Sequence, residues 1–299
     1  MKKVQVLMST YNGQKYLEEQ INSILNQENV EISLLVRDDE SSDDTIKILQ
    51  EMSQKNKNIS YFTDKNMGPA RSFMELVNKS SSADYYAFSD QDDVWDSKKI
   101  ISAIEKLEKI ERPCLYISAL EIVDENLNTI EIKKVKGNFT FEGEIIKNFA
   151  NGCTQVFNKQ LCDIVKMYNP QYLIMHDSWI TRICYAIGGD VIIDDNAYIK
   201  YRQHANNVVG YKDEGLQKLK RQFKIAFKEN ISMRANIANE LNTGYGNMLT
   251  PKALKVVSRL IDYRKNIKSK MWLINNKNFR TNSAWINFKM ILAILLNKF

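Results

Sequence analysis

Tyr85-Tyr86-Ala87-Phe88-Ser89-Asp90-Gln91-Asp92-Asp93-Val94-Trp95 is the stretch on which the reading of this chain turns. Residues 85–89 read as a short strand, and three carboxylates follow it at once. In open α/β sheets, ligands bind beyond the carboxyl ends of the strands. Asp90, Asp92 and Asp93 offer hard oxygen donors that suit Mg²⁺ or Mn²⁺. Such an ion bridges two phosphates and neutralises charge on a departing diphosphate. The same acidic run also reads as a solvated cap for a helix beginning near Ser97.

Working outward, strand and helix patterns alternate. Strands are expected at Val4–Met8, Ile32–Val36, Ile59–Thr63, Tyr85–Ser89 and Cys114–Ser118. Helices are expected at Gln14–Asn26, Thr45–Met52, Pro69–Val77 and Ser97–Ile110. Pro69 sits where its missing N–H costs little. This alternation implies an α/β fold with a parallel sheet and right-handed crossovers. Three polar clusters then fall at strand ends: Ser9-Thr10-Tyr11, Arg37-Asp38-Asp39 and Ser89–Asp93. Their convergence on one sheet edge marks a site. Further on, the spacing predicts a hairpin within Glu121–Lys136 and a strand over Asn151–Phe157. It also predicts a helix over His176–Ile187 and two short strands at Val191–Ile193 and Ala197–Tyr201.

Several function classes drop out. The sequence has no GxGxxG after its first strand and no GxxxxGK[ST], so the usual phosphate cradles are missing. Four cysteines lie far apart without a CxxC, against a zinc ribbon or a disulfide scaffold. Only 11 of the 299 residues are Gly and 4 are Pro, against low-complexity disorder.

STYNG, RDDESSDDT, NMGPARSF, FSDQDDVW, HDSW and YRQHANNVVG occur in this order over residues 1–212. The ordered set resembles family 2 glycosyltransferases of the GT-A fold, most closely the bacterial rhamnosyltransferase-like members of cell-wall and capsule pathways. The resemblance implies a mainly parallel central sheet and an inverting transferase that uses a nucleotide-diphosphate sugar with Mn²⁺ or Mg²⁺. Carried over by position, Tyr11 packs on the nucleobase, Asp39 accepts a base N–H and Arg71 helps hold the nucleotide. Asp90 contacts the ribose, and Thr10 and Gln91 belong to the same donor site. Asp92 is the principal metal ligand, and His204 joins metal and diphosphate. Asp177 of HDSW matches the catalytic-base position; inversion needs a carboxylate that takes the acceptor hydroxyl's proton. Glu40 stands where the family usually has Gly, and Ser178 replaces a bulkier residue. The QxxRW signature of processive synthases is absent, so single-sugar addition is expected. The implied donor is dTDP-L-rhamnose, with a UDP-hexose as the alternative. A non-catalytic GT-A-like binding protein would have lost acidic positions that are all present here. A nucleotidyltransferase would carry a Gly-rich basic loop after the first strand, unlike STYNGQKY.

Charge divides the chain. Residues 1–214 hold 25 Lys and Arg against 33 Asp and Glu, net −8; residues 215–299 hold 17 against 3, net +14. The expected organisation is a catalytic domain over 1–214 and a basic helical region over 215–299. No apolar run reaches the ~20 residues of a spanning helix, and Val4–Met8 is too short for a signal-peptide core. The terminal AWINFKMILAILLNKF suits an interfacial helix. Acceptors in such pathways are glycans or lipid-linked. The expected setting is therefore cytoplasmic, peripheral at the inner membrane face, with a homodimer as the rival use of the tail and no nucleic-acid partner.

Overall fold

The computed structural model describes residues 1–203, 233–281 and 283–299. These fall into two compact units, one of residues 1–136 and 149–202, the other of 137–148 with the described residues from 203 onward.

The first unit is built on one twisted sheet. Strand β1 (Lys2–Thr10) lies between β2 (Val30–Asp38) and β4 (Tyr85–Ser89), with β3 (Ile59–Thr63) outside β2, all parallel. Val4, Val6, Leu7 and Met8 are all buried, so β1 is apolar on both faces, as a central parallel strand must be. The crossovers are α1 (Leu17–Leu25), α2 (Thr45–Lys55) and α3 (Pro69–Lys79). Each turns an apolar stripe to the sheet: Leu17, Ile21 and Ile24 from α1, Leu49 from α2, Phe73, Leu76 and Val77 from α3. Pro69 opens α3 behind Gly68, whose φ of +79° suits a residue without Cβ.

Beyond β4 the sheet becomes mixed, where strand–helix alternation alone predicts more parallel pairing. After β5 (Val94–Trp95), α4 (Lys99–Leu107), β6 (Cys114–Val123) and β7 (Thr129–Lys133), the strand next to β4 is β8 (Gln155–Asn158), antiparallel to it. β6 pairs antiparallel with β8 and β7, and parallel with β9 (Asp190–Arg202), which pairs antiparallel with β5. The two short strands expected at 191–193 and 197–201 are one strand. Opposite Ser118 and Ala119 its partners jump from Asp194 to Ala197, a bulge that the polar run Asp194-Asp195-Asn196 mimicked as a break. Helices α6 (Lys159–Lys166) and α7 (His176–Ala186) complete this unit.

The second unit is helical: α5 (Phe141–Ile146), α8 (Met233–Tyr245), α9 (Pro251–Asp262), α10 (Ile267–Asn275) and α11 (Ala284–Leu295). Ala253, Val256, Val257 and Leu260 form the apolar stripe of α9, capped by the Thr250 hydroxyl on Ala253 N–H. Every residue of α5 is buried, which explains why this short internal segment clusters with the C-terminal helices. Arg234 of α8 also donates to the carbonyls of Ile145 and Ile146 at its end.

Candidate active site

The registers Thr10↔Asp38 and Met8↔Ser89 bring the ends of β1, β2 and β4 to one edge of the sheet. The three polar clusters therefore meet there, and their loops are stitched together. Gln91 accepts from Tyr11 N–H at 2.8 Å and donates to Tyr11 C=O at 3.0 Å. Asn12 N–H donates to the Ser41 hydroxyl, and Gly13 N–H to that of Thr45. The Thr10 hydroxyl donates to Asp38 at 2.9 Å, and Asp38 also receives Ser41 N–H and O–H. Thr10 and Gln91 thus hold the loops, leaving the half-exposed Tyr11 ring presented at the edge.

Arg37 anchors the second cluster. Its side chain is fully buried and pairs with Asp39, with Glu75 at 2.6 Å, with the Ser72 hydroxyl at 2.8 Å and with Lys65 C=O at 2.9 Å. Asp39 also accepts Met67 and Gly68 N–H at 3.0 and 2.9 Å. Its carboxylate shapes the 64–68 loop. Glu40 adopts φ +69°, a left-handed conformation that favours Gly, the residue the resemblance leads one to expect there. Arg71 donates to the carbonyls of Pro170 and Gln171 at 2.9 and 2.6 Å, tying down the segment that leads into α7.

The acidic loop is crowded. Donor atoms of Asp90, Asp93 and Cys153 lie within 4.8 Å of one another. Burial, and then the charges of Asp92 and Asp177, push the Asp90 carboxyl up to about 7. Burial, with Asp92 and Asp90, pushes Asp93 well above the carboxylate range, against the opposing pull of Arg202 N–H and Lys99. Asp93 Oδ2 is buried without a hydrogen-bond partner among the described residues. A divalent cation fits this set, because it would relieve both the like-charge crowding and the orphaned oxygen. The Cys153 thiol is not one of the hard donors. Burial holds it well above its usual pKa. Asp92 contributes its charge from a partly exposed position.

Asp177, 6% exposed, lies in the first turn of α7, with Oδ1 accepting Ser178 N–H at 2.5 Å. Its backbone carbonyl receives Gln155 Nε2 and the Thr181 hydroxyl at 3.0 and 2.8 Å. Gln155 stands on β8, so the inserted antiparallel strand fixes the start of α7. A Cβ on Gly152 would lie 3.5 Å from Asp177 Cβ, and the next residue, Cys153, has its thiol within 4.8 Å of Asp90 and Asp93, so Asp177 lies beside the acidic loop. His204 lies outside the described residues.

Four contributors went unnoticed in the sequence. Arg202 closes β9 onto the acidic loop: its N–H donates to Asp93 Oδ1 at 3.2 Å and its Nε to Asp92 C=O at 3.0 Å. It also bonds Glu125 C=O and Glu19, and lies over the Tyr16 ring. The signal was present, since Arg202 belongs to YRQH. Lys99, buried with Nζ 3.7 Å from the Trp95 ring centroid, is lowered to about 8 by burial. His176 is buried between Phe73, stacked at 3.9 Å, and Phe88, edge-on at 4.7 Å. Desolvation lowers it to about 3, so it is a neutral packing group. Gly152 makes room for it, because a Cβ there would meet His176 Nε2 at 2.6 Å.

Comparison with known proteins agrees with this edge. The chain is 28% identical over 264 residues to a dTDP-rhamnosyl transferase, RfbG, of Shigella flexneri, covering 81% of this chain and 91% of that protein. Its fold matches crystalline S. aureus TarS 1–349 in complex with UDP at a TM-score of 0.59 and 16% identity, over 92% of this chain and 75% of that one. It also matches the mannosyltransferase PcManGT of Pyrobaculum calidifontis, in complex with GDP-Man and Mn²⁺, at 0.53 and 14%, over 99% and 85%. The model of glycosyl transferase family 2 matches residues 5–162, more than half of the chain, from within β1 through β2, β3, β4 and the acidic loop. The protein therefore belongs to glycosyl transferase family 2 and is a glycosyltransferase.

Proposed function

We propose that this enzyme is an inverting, metal-dependent transferase that adds a single L-rhamnose from dTDP-L-rhamnose to a hydroxyl of a cell-surface or lipid-linked glycan. The observation that carries the reading is the gathering of the Asp90–Asp93 loop at the edge where β1, β2 and β4 end, with Cys153 within 4.8 Å of Asp90 and Asp93 and the adjacent Gly152 packed against Asp177. The similarity to a rhamnosyl transferase over most of both chains favours the donor. In this reading the Tyr11 ring stacks on the base, with Thr10 and Gln91 holding its loop and Asp39 and Arg71 shaping the nucleotide side. Asp90 meets the ribose. Asp90, Asp92 and Asp93 are the residues that would hold Mn²⁺ or Mg²⁺, with His204 as a further ligand. When bound, the ion supplies Lewis-acid stabilisation of the departing diphosphate. Asp177 takes the acceptor proton as the new C–O bond forms, and its fixed backbone keeps that carboxylate in place.

The test is a donor screen that measures nucleoside diphosphate release with Mn²⁺, with Mg²⁺ and with chelator. Release from dTDP-L-rhamnose above any UDP-hexose, abolished by chelator, is the expected outcome. Preference for a UDP-hexose would move the donor assignment. Full activity in chelator would end the metal reading. Asp92→Asn keeps the loop's shape while removing a charge, so the metal concentration for half activation should rise at least about tenfold. An unchanged activation curve would remove Asp92 from the metal site.

The membrane setting rests on α11. Met290 and Ile294 are buried, while Trp285, Phe288, Leu292, Leu295 and Leu296 are exposed, with the Trp285 and Phe288 rings stacked at 5.9 Å. No helix among the described residues is long and apolar enough to cross a membrane. An exposed aromatic face in a region of net +14 suits interfacial binding to an anionic leaflet. The protein should sediment with anionic liposomes at low salt, and Trp285→Ser with Phe288→Ser should release it. A protein that ignores such liposomes counts against the setting. A dimer that becomes a monomer in the double variant would make this face a contact between copies.

A further inference from the structure

Glu142, on α5 of the helical unit, is 1% exposed. Its Oε1 accepts from Asn278 Nδ2 at 3.0 Å and lies 3.2 Å from Lys252 Nζ. Its Oε2 is equally buried and has no hydrogen-bond partner among the described residues. A buried carboxylate oxygen without a donor is costly, and Glu142 is one of the residues that line a cleft in this unit.

That cleft is open and measures about 790 Å³, within the range of small-molecule sites. Glu142, Lys252, Lys255, Lys268, Trp272 and Lys277 line it. The local sequence sets them there. On α9, Lys252 and Lys255 share a side at i, i+3, opposite the buried Val257 and Leu260. On α10, the Asn266 side chain caps the N-terminus, and Lys268 and Trp272 follow at i, i+4. The Asn276 cap then turns the chain so that Lys277 and Asn278 reach the same cleft. The Trp272 ring is partly exposed, braced edge-on by Phe279 at 6.3 Å, with Lys255 Nζ 5.8 Å from its centroid.

We propose that this cleft binds a phosphorylated saccharide. The flat Trp272 face receives the apolar C–H face of a sugar ring, and Glu142 Oε2 accepts one of its hydroxyl protons. The lysines hold the phosphate: four ammoniums against one carboxylate leave a positive field that a neutral sugar would not use. The site uses none of the residues assigned to transfer, so it stands independently of the donor and base assignments.

The test is saturation-transfer NMR on the full-length protein with α-D-glucose 1-phosphate and glucose as probes, and inorganic phosphate as a competitor against the ester. Saturation should reach the sugar ring protons of the phosphate ester. Glucose and inorganic phosphate should each bind at least tenfold more weakly. Trp272→Leu should abolish the transfer, and Glu142→Gln should weaken binding about fivefold or more. Lys255→Glu with Lys268→Glu, both on exposed positions, should weaken it at least tenfold while leaving the melting temperature and donor hydrolysis unchanged. A farnesyl diphosphate-linked glucose that binds more tightly through the same residues makes a lipid-linked saccharide the source; equal binding makes it a soluble one, and both uphold the site. No saturation in the wild type, binding untouched by the double lysine variant, or inorganic phosphate binding as well as the ester would overturn it.

Discussion

Asp177→Asn should lower sugar transfer by about 10²–10⁴-fold, the usual cost of removing a general base. The substitution preserves size, and an amide oxygen still accepts the Ser178 N–H that the carboxylate accepts now. The bonds from Gln155 and Thr181 end on the backbone carbonyl and are untouched. What disappears is the group that can take a proton from an acceptor hydroxyl. It also removes the smallest of the influences that raise Asp90, so the Asp90 carboxyl should move down slightly while burial and Asp92 still hold it above its ordinary range. That change favours the ionised loop, and donor affinity should hold or improve slightly. Acceptor-dependent product formation and donor binding should be measured separately. Collapse of donor affinity in this variant would mean that Asp177 serves the nucleotide.

Arg37→Leu should destabilise the protein by about 3–5 kcal/mol, the range for breaking a buried ion pair from one side. The guanidinium is completely enclosed and satisfies Asp39, Glu75, the Ser72 hydroxyl and the Lys65 carbonyl together. Leucine leaves Asp39, 3% exposed, with only the Met67 and Gly68 amides. Glu75 keeps Lys79 at 2.7 Å. Burial alone would raise Glu75, but the bonds from Lys79 and Arg37 outweigh it and hold its pKa below the ordinary value. A depressed carboxylate stabilises the fold above its unfolded pKa, and that contribution is lost as pH falls through the folded value. The variant's deficit should therefore be full near neutrality and shrink in acid. Urea denaturation at pH 7 and below pH 4 would measure it. A deficit under about 1 kcal/mol at pH 7 would show that the cluster relaxes around the missing charge. Arg37→Lys should fall between the two, because an ammonium restores charge without the guanidinium's fork.

Much of the catalytic half was legible in the residues. The strands at Ile59–Thr63 and Tyr85–Ser89 have the boundaries that apolar runs and turn residues predict. α3 starts at Pro69 as expected. Local chemistry decides such features: a parallel strand buried on both faces is a continuous apolar run, and proline marks a first helical turn. Tyr11, Asp39 and Asp90 could be placed at one edge because parallel strands align their carboxyl ends. The six-residue α5 gave no periodic signal, having every residue buried, and four-residue β8 is too short to show its direction.

The residues alone determined the α/β alternation, the three polar strand ends and the division of charge between −8 and +14. Each is a property of neighbours along the chain. Only the tertiary structure decided which of those polar groups hold the frame and which are left at the open edge. Thr10 and Gln91 bond the loops, Arg71 bonds two carbonyls far along the chain, and Arg202 reaches back to the acidic loop. It alone slid β8 antiparallel beside β4, and so set Gln155 under the carbonyl of Asp177. The reason is physical. A hydrogen bond between residues scores apart in the sequence has no periodicity to announce it, and it forms only where packing of the whole sheet brings donor and acceptor within about 3 Å.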